Sequence, residues 1–119
     1  MVEPGSERRR ATRVVPPEPV TVAMENGKGP VAYGIVTNIS ETGACVRTDI
    51  PFTVGEELLL RLTFAREAQP LSAMGRVVWQ NGVGSGALRH GLQWTYDGPH
   101  RVRLRLLVKA MIGPTPAGS

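Results

Sequence analysis

The chain has 119 residues, of which 41% are hydrophobic, 20% charged and 5% aromatic, and this size suits one small globular domain. Its single cysteine, Cys45, excludes an internal disulfide and a zinc site built on cysteines. No stretch approaches the roughly 18 consecutive apolar residues of a membrane-spanning helix, and the first residues lack the apolar run of a signal peptide. We therefore expect a soluble cytoplasmic protein without membrane association.

The net charge of +4 is distributed unevenly along the sequence. Residues 1–13 contain four arginines and two glutamates, and residues 101–119 contain four basic and no acidic residues, whereas residues 14–100 are slightly acidic. Basic groups in small clusters at both ends predict local anion-binding sites and not a uniformly basic surface. Solvated charge at the two ends is the alternative interpretation.

Residues 1–19 combine a cluster of arginines with Pro16, Pro17 and Pro19, which predicts a flexible basic arm and excludes a stable helix or central strand. From Val20 onward, short runs rich in β-branched and apolar residues alternate with turns that contain glycine, a pattern typical of an antiparallel sandwich or barrel. The fold class predicted from the residues is therefore all-β. The predicted strands are residues 20–24, 31–37, 44–48, 57–64, 72–80 and 87–94, with a polar interruption at residues 38–43.

The tail after residue 96 fits two patterns, because residues 101–106 alternate like a strand while four apolar residues have helical spacing. Those four residues are Leu104, Leu107, Val108 and Met111. A cap at Asp97 and a stop at Gly113 favour a helix over about residues 98–112. We expect it to cover one end of the β-structure, although its basic stripe would also suit a docking partner. The stripe consists of Arg101, Arg105 and Lys109.

Residues that perform catalysis or bind metals are too sparse to predict an enzyme. His90 and His100 have no second histidine at ligand spacing, and Cys45 lies in a strand-like run where a buried, inert thiol is expected. Ser40 lies near a glycine but lacks the pattern of a nucleophile elbow. We therefore expect no enzyme activity, no metal and no cofactor.

Two polar motifs stand out, RRRATR at residues 8–13 and NISETG at residues 38–43. Guanidinium groups pair with phosphate or with guanine O6 and N7, and they stack on purine rings. In an extended chain, Asn38 and Ser40 would project to the same side and hydrogen-bond a guanine edge, while Gly43 would permit close approach. The two motifs together point to a ligand that contains guanine and phosphate.

The order of the motifs, the distance between them and the roughly six strands that follow resemble the PilZ domain family, the bacterial receptors for cyclic di-GMP. The family pattern is Arg-x-x-x-Arg in an N-terminal loop, then Asp/Asn-x-Ser-x-x-Gly on the barrel. The resemblance implies a six-stranded antiparallel, Greek-key-like β-barrel with a C-terminal helix over residues 20–113. It would be preceded by the arm, residues 1–19, and followed by a disordered tail, residues 114–119.

In the arm, the resemblance implies that Arg9 and Arg13 bind phosphate and the Hoogsteen edge of guanine, because they are the one pair that fits the first motif. A basic residue at the position of Arg8 accompanies two stacked nucleotides in the family. Two molecules of cyclic di-GMP per chain are therefore expected.

On the barrel, the resemblance implies that Asn38, Ser40 and Gly43 hold the other guanine. Arg47 and Trp79 occupy positions at which some family members touch the nucleotide. Many members have aspartate where this chain has Asn38, and an amide presents less negative charge to guanine N1–H and N2–H, so weaker binding is expected.

The function that the resemblance implies is that of a single-domain receptor, which orders its arm on binding and regulates an unidentified effector protein in trans. The output would be motility, exopolysaccharide production or a related process. The alternative is a PilZ-like protein-interaction module that binds no nucleotide. Binding of nucleic acid is not expected, because the strands lack interleaved aromatic residues that stack bases. A monomer or a weak homodimer is expected.

Overall fold

The computed structural model of the chain describes residues 13–28, 32–82, 84, 86–95 and 99–112. Within these residues, six antiparallel strands form a closed barrel that is followed by a helix. The elements are β1 (Thr21–Glu25), β2 (Ala32–Ile39), β3 (Gly43–Thr48), β4 (Glu57–Thr63), β5 (Leu71–Gly82), β6 (Leu88–Trp94) and α1 (Pro99–Ile112). This arrangement confirms the predicted all-β barrel with its C-terminal helix. The predictions for residues 1–12, Asp97 and residues 113–119 fall outside the described residues.

The strands follow the order β1-β2-β3-β6-β5-β4, and β4 pairs with β1 to close the barrel. The first three strands are sequential antiparallel neighbours, and β4 returns to lie on the other side of β1. This spatial order of four consecutive strands is the Greek key, as the resemblance implied. Each of the six strands therefore has a hydrogen-bonded neighbour on both sides.

The barrel interior is filled by the inward-facing residues of all six strands, as the alternating pattern of β4 shows most plainly. Leu58, Leu60 and Leu62 are fully buried, because alternate residues of a strand face the same side of a sheet. Leu104 and Val108 of α1 belong to the same core, and Leu107 and Met111 pack against it, as their helical spacing predicted.

The helix α1 lies at the end of the barrel that contains the β2–β3 turn and the β4–β5 loop. The backbone N–H of Ser72 donates to His100 Nδ1 at 2.9 Å, and Arg103 forms an ion pair with Glu67 at 2.7 Å. Because Glu67 lies in the β4–β5 connection and Ser72 at the start of β5, the contacts hold the helix across that end. The expected position of the helix therefore agrees with the structure.

A buried histidine lies toward the opposite end of the barrel. His90 is fully buried, and its Nε2 lies 2.8 Å from Thr48 Oγ1. The single hydroxyl hydrogen of Thr48 is donated to Ile50 O at 2.8 Å, so Nε2–H of His90 must be the donor to Thr48. His90 Nδ1 is then an unprotonated nitrogen, and it has no hydrogen-bond partner among the described residues. Burial lowers the pKa of His90 below its ordinary value.

This lowered pKa predicts an acid-sensitive fold. Below about pH 6.5 the unfolded chain binds a proton at position 90 that the folded chain excludes, so stability falls as the pH falls. We expect the melting temperature to drop more between about pH 7.5 and about pH 5.5 in the wild type than in His90→Gln, whose amide can donate to Thr48 without titrating. Parallel pH profiles for the two proteins would contradict the prediction.

Candidate functional site

Two β-bulges determine which polar and aromatic residues reach the outer surface of the barrel. In β2 the register shifts between Val36 and Asn38, and in β5 it shifts between Val77 and Trp79. Val36 and Val77 face the core, so regular alternation would turn Asn38 and Trp79 inward as well. The extra residue in each strand reverses this alternation, and both side chains face outward.

The two outward residues are the ends of one row across four strands. Asn38 of β2 pairs with Cys45 of β3, Cys45 with Gly91 of β6, and Gly91 with Trp79 of β5. Neighbouring strands lie about 4.8 Å apart, so the row is about 14 Å long. In the middle of the row, Cys45 is 2% exposed and Gly91 lies under the indole of Trp79.

The end of the arm is joined to the Asn38 end of this row. Val14 N donates to Ile39 O at 2.8 Å and Ile39 N donates to Val14 O at 2.9 Å, so the arm extends the sheet by one bridge. Arg13 Nη1 donates to Asn38 Oδ1 at 2.8 Å. The structure therefore brings together one residue from each predicted motif. Arg8 and Arg9 lie outside the described residues.

Ser40 has a structural environment that the sequence did not predict. The residue is 2% exposed, and its Oγ accepts from the backbone N–H groups of Thr42 and Gly43 at 3.2 Å each. It lies in the β2–β3 turn and not in extended chain, so the expected side-by-side projection of Asn38 and Ser40 is absent. Its observed contacts stabilise the turn that positions Asn38.

The glycines of the surface are required by close packing. A Cβ atom on Gly43 would overlap the carbonyl oxygen of Leu92, because β3 and β6 approach closely at this point. A Cβ atom on Gly91 would overlap the indole of Trp79, which covers that residue. The sequence predicted that Gly43 lets a ligand or backbone approach closely, and the structure shows the backbone of the neighbouring strand at this position.

Arg47 lies on the same outer face, one row further from the helix end than Cys45. It is exposed, and its direct partner across the β3–β6 ladder is Arg89. Arg89 was not singled out in the sequence, because no spacing along the chain indicates that it lies opposite Arg47. Only the strand register places the two side by side.

Comparison with known proteins agrees with this geometry. The family model for the PilZ domain matches residues 7–110. The chain belongs to the PilZ domain family. None of the curated proteins compared with the sequence matched it.

Several solved structures share the PilZ fold with this chain. The PilZ domain of YcgR from Escherichia coli, solved with c-di-GMP, is 11% identical with a TM-score of 0.72, over 88% of this chain and 92% of that one. The inhibitor of motility MotI/DgrA from Bacillus subtilis is 18% identical with a TM-score of 0.66, over 85% of this chain. The match covers 49% of MotI, so this PilZ chain spans about half of its length. The PilZ domain of CeSA from a cellulose-synthesizing bacterium is 21% identical with a TM-score of 0.57, over 80% of this chain and 95% of that one. At these identities the likeness shows the fold.

The β2–β3 turn, which lies within the NISETG motif of this PilZ domain, is also contacted by α1. Arg101 Nη2 donates to the backbone oxygen of Glu41 at 3.2 Å, and Arg105 Nε lies 4.0 Å from Glu41 Oε1. Two members of the predicted basic stripe therefore contact the turn, while Lys109 is exposed. The β2–β3 turn therefore connects β2, to which the arm is bridged, with α1.

The described residues contain no group of three or more His, Cys, Asp or Glu side chains arranged to hold a metal ion. No described helix is long and apolar enough to cross a membrane.

The glycine packing predicts two substitutions of unequal cost. Gly43→Ala places a methyl group against backbone, which cannot move without separating β3 from β6, so we expect a loss of about 2–3 kcal/mol in the free energy of unfolding. Gly91→Ala meets a side chain that can swing away, so we expect a loss nearer 1 kcal/mol. Urea unfolding measures both values.

A matched control is available for the second substitution. In a Trp79→Ala background the obstacle is gone, so Gly91→Ala should cost little, and the two changes should be non-additive. Equal costs for Gly91→Ala in both backgrounds would contradict the packing described here.

Proposed function

We propose that this PilZ domain binds cyclic di-GMP on the outer face of β2, β3, β6 and β5, and that it acts as a receptor for a separate effector protein. The observation that carries the proposal is the hydrogen bond from Arg13 Nη1 to Asn38 Oδ1, which joins two motifs that lie 25 residues apart in the chain. A surface that serves only to fold the barrel does not need this pairing, because both side chains lie outside the core.

The residues at the Asn38 end have the hydrogen-bonding groups that a guanine nucleotide needs. Arg13, together with Arg9, supplies a planar fork of donors for phosphate oxygens or for guanine O6 and N7. The amide oxygen of Asn38 has two lone pairs, of which Arg13 uses one, so it can still accept from guanine N1–H or N2–H. Because the acceptor is neutral, we expect it to hold guanine less tightly than an aspartate would.

At the other end of the row, Trp79 supplies a flat aromatic surface. Its half-buried indole reaches from β5 over Gly91 of β6 on the outer face, so the ring lies two strands from Asn38, about 10 Å along the sheet. Aromatic rings stack on purines, and each such contact contributes about 1–3 kcal/mol to binding. The two stacked nucleotides that Arg8 predicts would lie between Trp79 and the Arg13–Asn38 pair. The YcgR PilZ domain that shares this fold was solved with c-di-GMP, which supports the choice of ligand.

The response to binding is proposed to start in the arm. A nucleotide held by Arg9, Arg13 and Asn38 would fasten the arm more firmly to β2 at the Val14–Ile39 bridge. The next residues along the chain form the turn that Arg101 and Arg105 of α1 contact. The arm and the helix therefore form the surface whose state an effector would read. The output, such as motility or exopolysaccharide production, belongs to that effector.

Calorimetric titration with cyclic di-GMP tests the proposed function, with GTP as a control ligand. We expect binding by the wild type with a ratio near two nucleotides per chain. Arg9→Ala, Arg13→Ala and Asn38→Ala should each weaken the affinity by about tenfold or more, because each loses charge-assisted or base-specific hydrogen bonds. Arg61→Ala is the matched control, since Arg61 is an exposed strand arginine of β4, outside the row.

Absence of binding in a folded wild-type sample would overturn the receptor function. It would favour the alternative of a protein-interaction module, for which Lys109 and the neighbouring arginines of α1 are the first residues to test.

Proteolysis tests the role of the arm. Trypsin cleaves after arginine, so the arm contains several sites at residues 8–13. We expect cyclic di-GMP to slow cleavage at these sites in the wild type by about tenfold, and to have no effect in Asn38→Ala, which keeps every cleavage site. Cleavage that is equally fast with and without bound ligand would show that the arm is not ordered by the nucleotide.

A further inference from the structure

Two arginines lie directly opposite each other on the outer face of the barrel. Arg47 of β3 and Arg89 of β6 form one pair of the antiparallel ladder, next to the pair Cys45–Gly91 on the same face. Both side chains are exposed. Directly opposed residues of an antiparallel pair have Cβ atoms about 4.5–5.5 Å apart, so the two side chains leave the sheet side by side.

The charges of this pair are not balanced within the described part of the chain. Neither guanidinium forms an ion pair or a hydrogen bond there, whereas Arg66, Arg103 and Arg105 each lie within 4.0 Å of a glutamate oxygen. The residues that flank the pair in the same row are Ile35 on β2 and Asn81 on β5, and both are uncharged. Like charges directly opposite each other destabilise a sheet, so a bound anion would offset this repulsion.

The pair lies beside the proposed stacking surface. Trp79 pairs with Gly91, and Arg89 precedes Gly91 by two residues on the same face of β6. This makes Arg89 a diagonal neighbour of Trp79, at a distance of about 7–8 Å that a long side chain can span. A nucleotide whose base stacks on Trp79 would therefore have its sugar-phosphate within reach of Arg89 and Arg47.

We propose that Arg89 is a ligand-binding residue and that Arg89 and Arg47 together form a phosphate subsite for the nucleotide that stacks on Trp79. The inference rests on the proposed function and adds a residue to it. A phosphodiester fits better than a guanine edge, because it brings a negative charge and two acceptor oxygens to two adjacent cations. A neutral base edge would leave the repulsion between the guanidinium groups in place.

The test is calorimetric titration with cyclic di-GMP at two salt concentrations, on the wild type, Arg89→Ala, Arg89→Lys and Arg61→Ala. We expect Arg89→Ala to weaken binding about tenfold, Arg89→Lys to restore part of the loss because it keeps the charge, and Arg61→Ala to bind like the wild type. The salt dependence of the affinity should be smaller in Arg89→Ala, because one contact between a cation and a phosphate is lost. Trp79→Ala should weaken binding without changing the salt dependence.

A second measurement separates lost binding from lost folding. Without ligand, Arg89→Ala should melt at or above the wild-type temperature, because it relieves the repulsion from Arg47. Wild-type affinity in Arg89→Ala would overturn the subsite and leave the proposed function standing, provided that Arg13→Ala still weakens binding. Absence of binding in the wild type would overturn both. A loss with unchanged salt dependence would also contradict a phosphate contact.

Discussion

A closed barrel must fill its interior from one side of every strand, and this constraint determines where functional side chains emerge. In β2 the buried positions of Val36 and Ile39 are three residues apart, which strict alternation does not allow. The bulge resolves the conflict by adding a residue, so Ile39 returns to the core and Asn38 faces outward. The bulge in β5 has the same effect for Trp79. Each bulge thus lets its strand contribute core residues before and after it, while Asn38 or Trp79 faces outward at one end of the proposed site.

The second organising feature is the β2–β3 turn, which is contacted by residues of β6 and of α1. Its inside is held by Ser40 Oγ and by Trp94 Nε1, which donates to Ser40 O at 3.3 Å. Its outside is contacted by Arg101 and Arg105 of α1. Because Leu104 and Val108 anchor the same helix in the core, α1 cannot move freely away from the turn. A change at Asn38 would therefore reach the helix through two or three contacts.

The sequence predicted the repetitive elements well because their signals are local. Each predicted strand is present with its ends shifted by at most two residues, and the apolar spacing of α1 identified its buried face. The two bulges were not predictable from period-two alternation, because Thr37 and Val78 do not differ in kind from their neighbours. Burial of the Ser40 hydroxyl was also missed, because the chain from Asn38 to Ser40 was interpreted as extended. In the structure β2 ends at Ile39, and Ser40 already lies in the β2–β3 turn.

The candidate site was predicted only in part, because some of its residues are related by register and not by spacing. The pairing of the two motifs was expected from their resemblance to the PilZ family, and the Arg13–Asn38 hydrogen bond agrees with it. Gly43 was expected to let a ligand or backbone approach closely, and the backbone of Leu92 in β6 lies beside it. Arg89 lies 42 positions after Arg47 in the chain and becomes its neighbour only when β6 inserts between β3 and β5.

Ion pairs in the folded chain show which arginines already have an acidic partner, and the net charge of a segment does not show this. The segment between the basic ends is slightly acidic, which alone would place anion binding at the termini. In the structure, however, Arg103 and Arg105 of the basic C-terminal segment lie beside glutamates, and exposed pairs of this kind contribute little stability. Arg47 and Arg89, from the acidic segment, lie side by side with no acidic partner among the described residues. The outer face of β3 and β6 therefore carries two cations, unpaired within the described part of the chain, in addition to the arginine motif of the arm, although the segment that supplies them is acidic overall.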